Sequence, residues 1–423
     1  MTESGRVTLA RRPAVATVLV SLVVVVSLAL WLVPWSWVPG GKLVPAHAST
    51  LFSAEQTARA ERYSWWKRGF GWPSYFLSLA VLLVLAFTGL NTRAVRRATS
   101  RGRWWVAVSV GVLAVLLVQR LLTLPFSIGS HEVDLRFGIS RQGWAGWSLD
   151  QVRSLLVAWV TTALVLVVLV GFARRTPRWW FAWAGTAAML LTFAGSFLYP
   201  VLVEPVFNRF TPMSAGPFKE SILRLADREA VHVDDVLVAD ASRRITTLNA
   251  YVSGLGSTRR VVVYDNLLRG LTPAEARVVI AHELGHAKHN DVLLGTSLGA
   301  VGSVGAVALL ALVVDSERVR RRARVASVGD PAVVALVLAL AGLGTFAVSP
   351  VENAVSRAIE VRADRTSLEA TGSGPTFVRM QRRLAIVSLA DPTPPALALF
   401  WWGSHPTVLQ RAGLPASLAK ADR

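Results

Sequence analysis

Residues 271–291 read LTPAEARVVIAHELGHAKHND, and the reading of this stretch decides the architecture around it. Thr272 is a natural helix N-cap, Pro273 suits the first helical position, and Glu275 completes a capping box. The helix so started is expected to run through His289. His282 and His286 stand four residues apart on it, one above the other on one helical face. Both imidazoles can then reach one zinc ion at about 2.0–2.1 Å. Glu283 projects beside them, placed to accept a proton from an activated water and pass it to a leaving amine.

A catalytic zinc site needs a third protein ligand and one open position. Glu360 is the candidate, in the helical stretch 356–364, SRAIEVRAD. Asp364 lies four residues on, on the same face, where it could orient a ligand histidine through the second ring nitrogen. The residues alone leave a second reading open, in which Glu360 and Asp364 share a solvated charged face with Arg357 and Arg362. The five-residue HELGH match also recurs in unrelated chains. It is strengthened by its setting, because the chain has 7 histidines and three of them fall between positions 282 and 289. His289 itself reads as a polar residue at the helix end, where a histidine suits the C-terminal dipole.

Outward from this helix the chain is apolar. Hydrophobic residues make up 53% of its 423 positions and the mean hydropathy is positive, more apolar than soluble domains usually are. The excess sits in runs long enough to cross a bilayer as helices. Seven spans are expected, at about residues 14–33, 73–90, 104–122, 154–172, 181–202, 292–314 and 331–348. The first follows Arg6, Arg11 and Arg12 and precedes Ala46-His47-Ala48; its apolar run is long for a signal peptide, so an uncleaved anchor is expected. Tryptophans such as Trp35, Trp65, Trp104 and Trp179 crowd the ends of the runs as interfacial belts do. Gly295, Gly299, Gly302 and Gly305 in the sixth span are spaced for close helix packing.

The formal net charge of +19 clusters at the ends of the apolar runs, for example at Arg93, Arg96, Arg97, Arg101 and Arg103. That pattern fits cytoplasmic loops and argues against nucleic acid as a partner. The absence of cysteine excludes disulfides and cysteine-ligated metal. The chain therefore divides into spans one to five (1–203), a polar catalytic unit (204–291), spans six and seven (292–348) and a C-terminal segment (349–423). Within the polar unit a helix is expected at 218–227, a strand at 236–239, and β-rich runs at 246–253 and 260–265. The last two join as a hairpin through Gly254-Leu255-Gly256-Ser257.

Four motifs in this order resemble the type I CAAX prenyl protease family, seven-span zinc metallopeptidases related to the HtpX heat-shock proteases. They are Asn249-Ala250-Tyr251 with Gly254, the HELGH of His282 to His286, Glu360 with Ala363 and Asp364, and Ser404-His405-Pro406. The resemblance implies a mostly α, integral-membrane fold: a seven-helix bundle with a zincin-like (gluzincin) α+β catalytic unit. It implies His282, His286 and Glu360 as ligands of one Zn2+, Glu283 as general base and Asp364 behind the ligands. It places Asn249 and His405 near the site, for the oxyanion of the tetrahedral intermediate, and the strand 247–253 as the edge that binds substrate. Taken on residues alone, Asn249 could begin a turn and His405 could cap the following helix. The eukaryotic members act on prenylated C-termini; no residue here marks a prenyl pocket, so the chemistry is carried over and the substrate is not.

The expected activity is zinc-dependent endoproteolysis of membrane-associated or extended peptides, with the bilayer as the other partner. A protease that embeds its HExxH in an apolar span is disfavoured, because Arg277, Lys288, His289, Asn290 and Asp291 surround this motif. A membrane chaperone or transporter with a structural zinc is the rival from another class, and Glu283 discriminates, since a structural site needs no base. The expected location is a bacterial plasma membrane. Strict alternation of seven spans puts the basic loops on one side and the catalytic unit on the other, which favours an extracytoplasmic site.

Overall fold

A computed structural model describes residues 9–38, 43–99, 103–254 and 256–421 of the protein. Arg6, Lys42, Arg101 and Leu255 lie outside the described residues. Seven helices are long and apolar enough to cross a membrane: Arg11–Leu32, Ala54–Phe87, Trp104–Phe137, Trp144–Arg175, Trp180–Phe207, Asp291–Asp315 and Pro331–Thr371. The first exposes Leu19, Val20, Leu22, Val23 and Leu30 on its outer surface, an apolar face that lipid would cover.

Several helices outrun the expected spans. The second and third each have 34 residues, the fourth 32, and the seventh 38 from Val334 to Thr371. At 1.5 Å per residue these are roughly 48–57 Å long, against about 30 Å of hydrocarbon. The reason is that nothing in these sequences stops a helix at the membrane surface. Ser53 supplies a full capping box 20 residues before Pro73, and Gly138, at φ +78°, supplies the stop that Leu122 does not. The seventh helix passes through Pro350 and carries Glu360 and Asp364 out of the membrane, so a division at residue 348 falls inside a single helix.

Helix packing in the bundle follows small residues, though not all four glycines take part. A Cβ on Gly305 would stand 2.9 Å from Cβ of Ser21, so this glycine lets the first and sixth spans touch. Gly295 and Gly302 face open space.

The polar stretch between spans five and six folds around a four-stranded sheet of order β1-β2-β4-β3: β1 Phe210–Pro212, β2 Asp235–Ala239, β3 Ala250–Ser253 and β4 Arg260–Tyr264. β2 and β4 run parallel, while β1 and β3 are antiparallel to their neighbours. The hairpin of β3 and β4 and the helix Pro217–Arg228 agree with expectation. β1 is additional. β3 is shorter than the run 246–253 suggested, because the backbone before it is engaged elsewhere. Thr246 donates its N–H to Ile139 O at 3.0 Å, and Asn266 holds Thr247 O at 2.6 Å.

One core unites this sheet with the chain's C-terminal part. Val236, Val261 and Val263 from the sheet meet Ile280 and Leu284 of the helix Pro273–Lys288, Val361 of the seventh helix, Phe377 and Met380 of the helix Gly374–Ser388, and Leu414. The two polar stretches are therefore halves of one folded unit.

Candidate metal centre

The helix Pro273–Lys288 starts as its sequence dictates. Thr272 N–H donates to Glu275 Oε2 at 2.9 Å, and Glu275 N–H donates back to Thr272 Oγ1 at 3.3 Å. Such a cap contributes about 1 kcal/mol and fixes where the first turn begins. Three turns later the helix meets the seventh helix at Gly285. A Cβ there would lie 3.2 Å from Thr366 Cβ and 3.4 Å from Ala363 Cα. The glycine of HELGH is thus what allows the two helices to approach closely enough for Glu360 to reach both histidines.

His282, His286 and Glu360 come together, each offering a donor atom within 4.8 Å of the others. His282 Nε2 is 3.2 Å from His286 Nε2 and 3.4 Å from Glu360 Oε2, and His286 Nε2 is 3.5 Å from Glu360 Oε1. The far side of each imidazole is held by a carboxylate. Asp364 Oδ1 lies 2.9 Å from His282 Nδ1, and Asp291 Oδ2 lies 2.9 Å from His286 Nδ1. A neutral histidine that donates from Nδ1 turns its Nε2 lone pair outward. Two lone pairs and a carboxylate then face one another, and Glu360 Oε2 is buried without a hydrogen-bond partner among the described residues. Such a donor set is repulsive by itself and fits a divalent cation of the zinc type.

The electrostatics agree. Burial disfavours a charged His282, yet the carboxylates of Asp364 and Glu360 beside it raise its proton affinity above the usual value. Burial likewise opposes charging His286, and Asp291 and Glu360 push it up to about 10. The same negative field that would hold protons there would hold a cation. Glu283 is different, since burial pushes its carboxyl up despite the two histidines. A carboxyl tuned towards neutrality is suited to pass a proton both ways.

The structure also supplies residues that sequence reasoning missed. Arg411 Nε donates to Asp364 Oδ2 at 2.8 Å, and its Nη2 stands 4.0 Å from Glu360 Oε2. Arg362 is buried and paired with Asp291, and Arg357 donates to Leu399 O and Gly403 O. Glu360 and Asp364 are themselves buried, with Arg362 buried beside them, which removes the reading of a solvated charged face. Asp291 had a local signal, an acid at the head of an apolar span just past the histidine helix. Arg411 had none, because nothing near it in sequence points to the histidines.

His405 Nε2 is 3.4 Å from Glu360 Oε1, with its imidazole 58% exposed, so it borders the group from the open side. Asn249 sits one residue ahead of β3, exposed; its Oδ1 accepts the Ala250 N–H at 3.0 Å. Among the described residues it has no hydrogen bond to His282, His286 or Glu360. His289 caps the helix end and bonds to Thr366 Oγ1 at 3.1 Å, outside the group.

Comparison with known proteins gives a consistent assignment. Peptidase family M48 matches residues 212–413, and the five-helix CAAX prenyl protease N-terminal family matches residues 40–209. The metalloprotease YhfN of Bacillus subtilis is 30% identical over 86% of this chain and 87% of its own length. CAAX prenyl protease 1 of Saccharomyces cerevisiae is 31% identical over 44% of this chain and 42% of its own. The crystal structure of S. mikatae Ste24p superimposes with a TM-score of 0.78 over 95% of this chain and 98% of that one, at 21% identity, which establishes a shared fold.

Proposed function

The chain belongs to peptidase family M48 as an integral-membrane zinc metalloendopeptidase, and from that premise we propose that His282, His286 and Glu360 hold its one zinc ion while Glu283 is the general base. The observation that carries the proposal is the convergence of two Nε2 atoms on the buried Glu360 carboxylate, whose Oε2 has no hydrogen-bond partner among the described residues. Zinc supplies Lewis acidity there, polarising the scissile carbonyl and making water a nucleophile near neutral pH. Glu283 accepts a proton from the attacking water as its oxygen bonds to the carbonyl carbon. It then delivers that proton to the amide nitrogen as the C–N bond breaks. Asp364 and Asp291 hold the histidines in the tautomer that leaves Nε2 free, and Arg411 holds Asp364. Glu283 also favours hydrolysis over a purely structural zinc, which has no use for a base.

The substrate is an extended, membrane-associated peptide that adds to β3. The sheet order ends at β3, which leaves its outer backbone groups to pair with a peptide strand. Asn249 and His405 stabilise the developing oxyanion. Zinc analysis with peptide cleavage tests these roles together. Wild-type protein should hold about one zinc per chain. His405→Ala and Asn249→Ala should cut turnover about 10- to 1000-fold with zinc content unchanged. Loss of zinc in step with activity would make them structural instead.

The proposal extends to the side of the membrane. Ala10 N–H bonds to Arg178 O, Arg11 pairs with Asp315, and Arg174 bonds to Gly329 O, which gathers three arginine-bearing segments at one end of the bundle. The loop after the third span bonds to Thr246 of the catalytic unit at the other end. The positive-inside rule then puts the catalytic unit outside the cytoplasm of a bacterial cell. The chain has no cysteine. Single cysteines at the exposed Ser214 and Ser327 can therefore be probed in intact cells with an impermeant thiol reagent. Labelling is expected at Ser214→Cys and protection at Ser327→Cys, and the opposite pattern reverses the orientation.

A further inference from the structure

The sheet has a second face that the catalytic chemistry leaves unused. Ala250, Val261 and Val263 turn into the core beside the histidine helix. Tyr251 alternates to the opposite face, and so does Tyr264. There a cavity of about 370 Å³ opens between the sheet and the fourth and fifth spans, lined by Tyr251, Tyr264, Glu204, Asp150, Arg244 and Asn208 among others.

Most of its charge is already compensated. Arg244 donates to Asp150 Oδ2 at 3.0 Å and to Asn208 Oδ1 at 2.8 Å, while Asp150 also accepts from Gln142 and Arg153. Glu204 is the exception. Its Oε2 accepts the Tyr251 hydroxyl at 2.6 Å, and among the described residues no cation pairs with it. Glu204 is therefore the one lining carboxylate without an ion pair, half-buried and fixed in place by a tyrosine. A carboxylate held in this way gains most from a cation that arrives with its own hydrogen-bond donors.

The register supplies the cation's source. Tyr251 lies on the edge strand, paired on its inner side with Val262. A peptide laid antiparallel on the outer side places the residue opposite Tyr251 on the same face as Tyr251, directed at the cavity. We propose that this cavity is a specificity pocket that takes a lysine or arginine side chain of the bound peptide, with Glu204 as its ion-pair partner and Tyr251 as the residue that positions Glu204. The proposal rests on the strand-addition reading above and adds to it the chemical class of one substrate residue.

The test uses the full-length chain in detergent and a set of internally quenched extended peptides. One position at a time is varied between Lys and Glu along the peptide, and kcat/KM is measured for each. At one position the wild type should prefer Lys over Glu by about tenfold or more, the size of one charge-assisted hydrogen bond. Glu204→Gln should bring that ratio close to one, and Glu204→Lys should invert it. The ratio within each variant is independent of how much enzyme is folded. A wild type that cleaves the peptides with no preference at any position, or a ratio unchanged in Glu204→Gln, overturns the pocket and leaves the metallopeptidase reading standing. Failure of the zinc-loaded wild type to cleave any peptide overturns the catalytic reading, and the pocket with it.

Discussion

Glu283→Gln should retain its zinc and lose peptide cleavage by about a thousandfold or more, because the attacking water's proton has nowhere else to go. The substitution keeps the shape of the side chain and removes only its capacity to accept and return a proton. Burial already pushes the Glu283 carboxyl up, so its charged form is held there at a cost. A neutral amide in that place relieves the cost, and the variant should be at least as thermally stable as the wild type. Loss of activity therefore comes without loss of fold, and a melting curve beside the cleavage assay separates the two. Near-normal cleavage by Glu283→Gln would sink the assignment of the base.

Glu360→Gln should lower both zinc content and cleavage, and by more than a change to the groups behind the histidines. Glu360 is the one anionic donor among the three converging groups. With an amide there, the two Nε2 atoms face a weaker donor and the site loses a full negative charge. Replacing a group that only supports a ligand, as in Asp291→Asn, weakens metal binding by about 10- to 100-fold. Glu360→Gln should exceed that range in a competition with a chelator. It should also reduce the stabilisation that added zinc confers on the melting temperature, since a ligand stabilises in proportion to how far its concentration exceeds its dissociation constant. Full zinc and full activity in Glu360→Gln would mean that the third ligand lies elsewhere.

Much of this architecture is local, and local physics is legible in a sequence. Apolar runs at Arg11–Leu32 and Asp291–Asp315 are long enough to cross a bilayer whatever else surrounds them. The helix Pro273–Lys288 begins where Thr272, Pro273 and Glu275 place it, and i, i+4 spacing puts His282 over His286 on any helix. Glu360 was visible as a candidate, but only resemblance to a family separated it from a charged surface residue. That ambiguity was physical, since a carboxylate near two arginines can be solvated or buried and its own neighbours do not say which. The structure resolves it by burying Glu360 and Asp364, while Arg357 and Arg362 turn to Leu399, Gly403 and Asp291.

The sequence by itself determined the seven spans, the HELGH helix and its start, and the β3–β4 hairpin, because each depends on contacts among residues a few positions apart. Tertiary structure alone decided the rest. Arg411 reaches His282 from 129 positions away, and Glu204 finds Tyr251 from 47. β3 is short because Ile139, in the loop after the third span, and Asn266 take the backbone bonds that Thr246 and Thr247 would have given a longer strand. These pairings carry no periodic signature, since the chain must first fold to bring them together, and only then do burial and charge decide which partners meet.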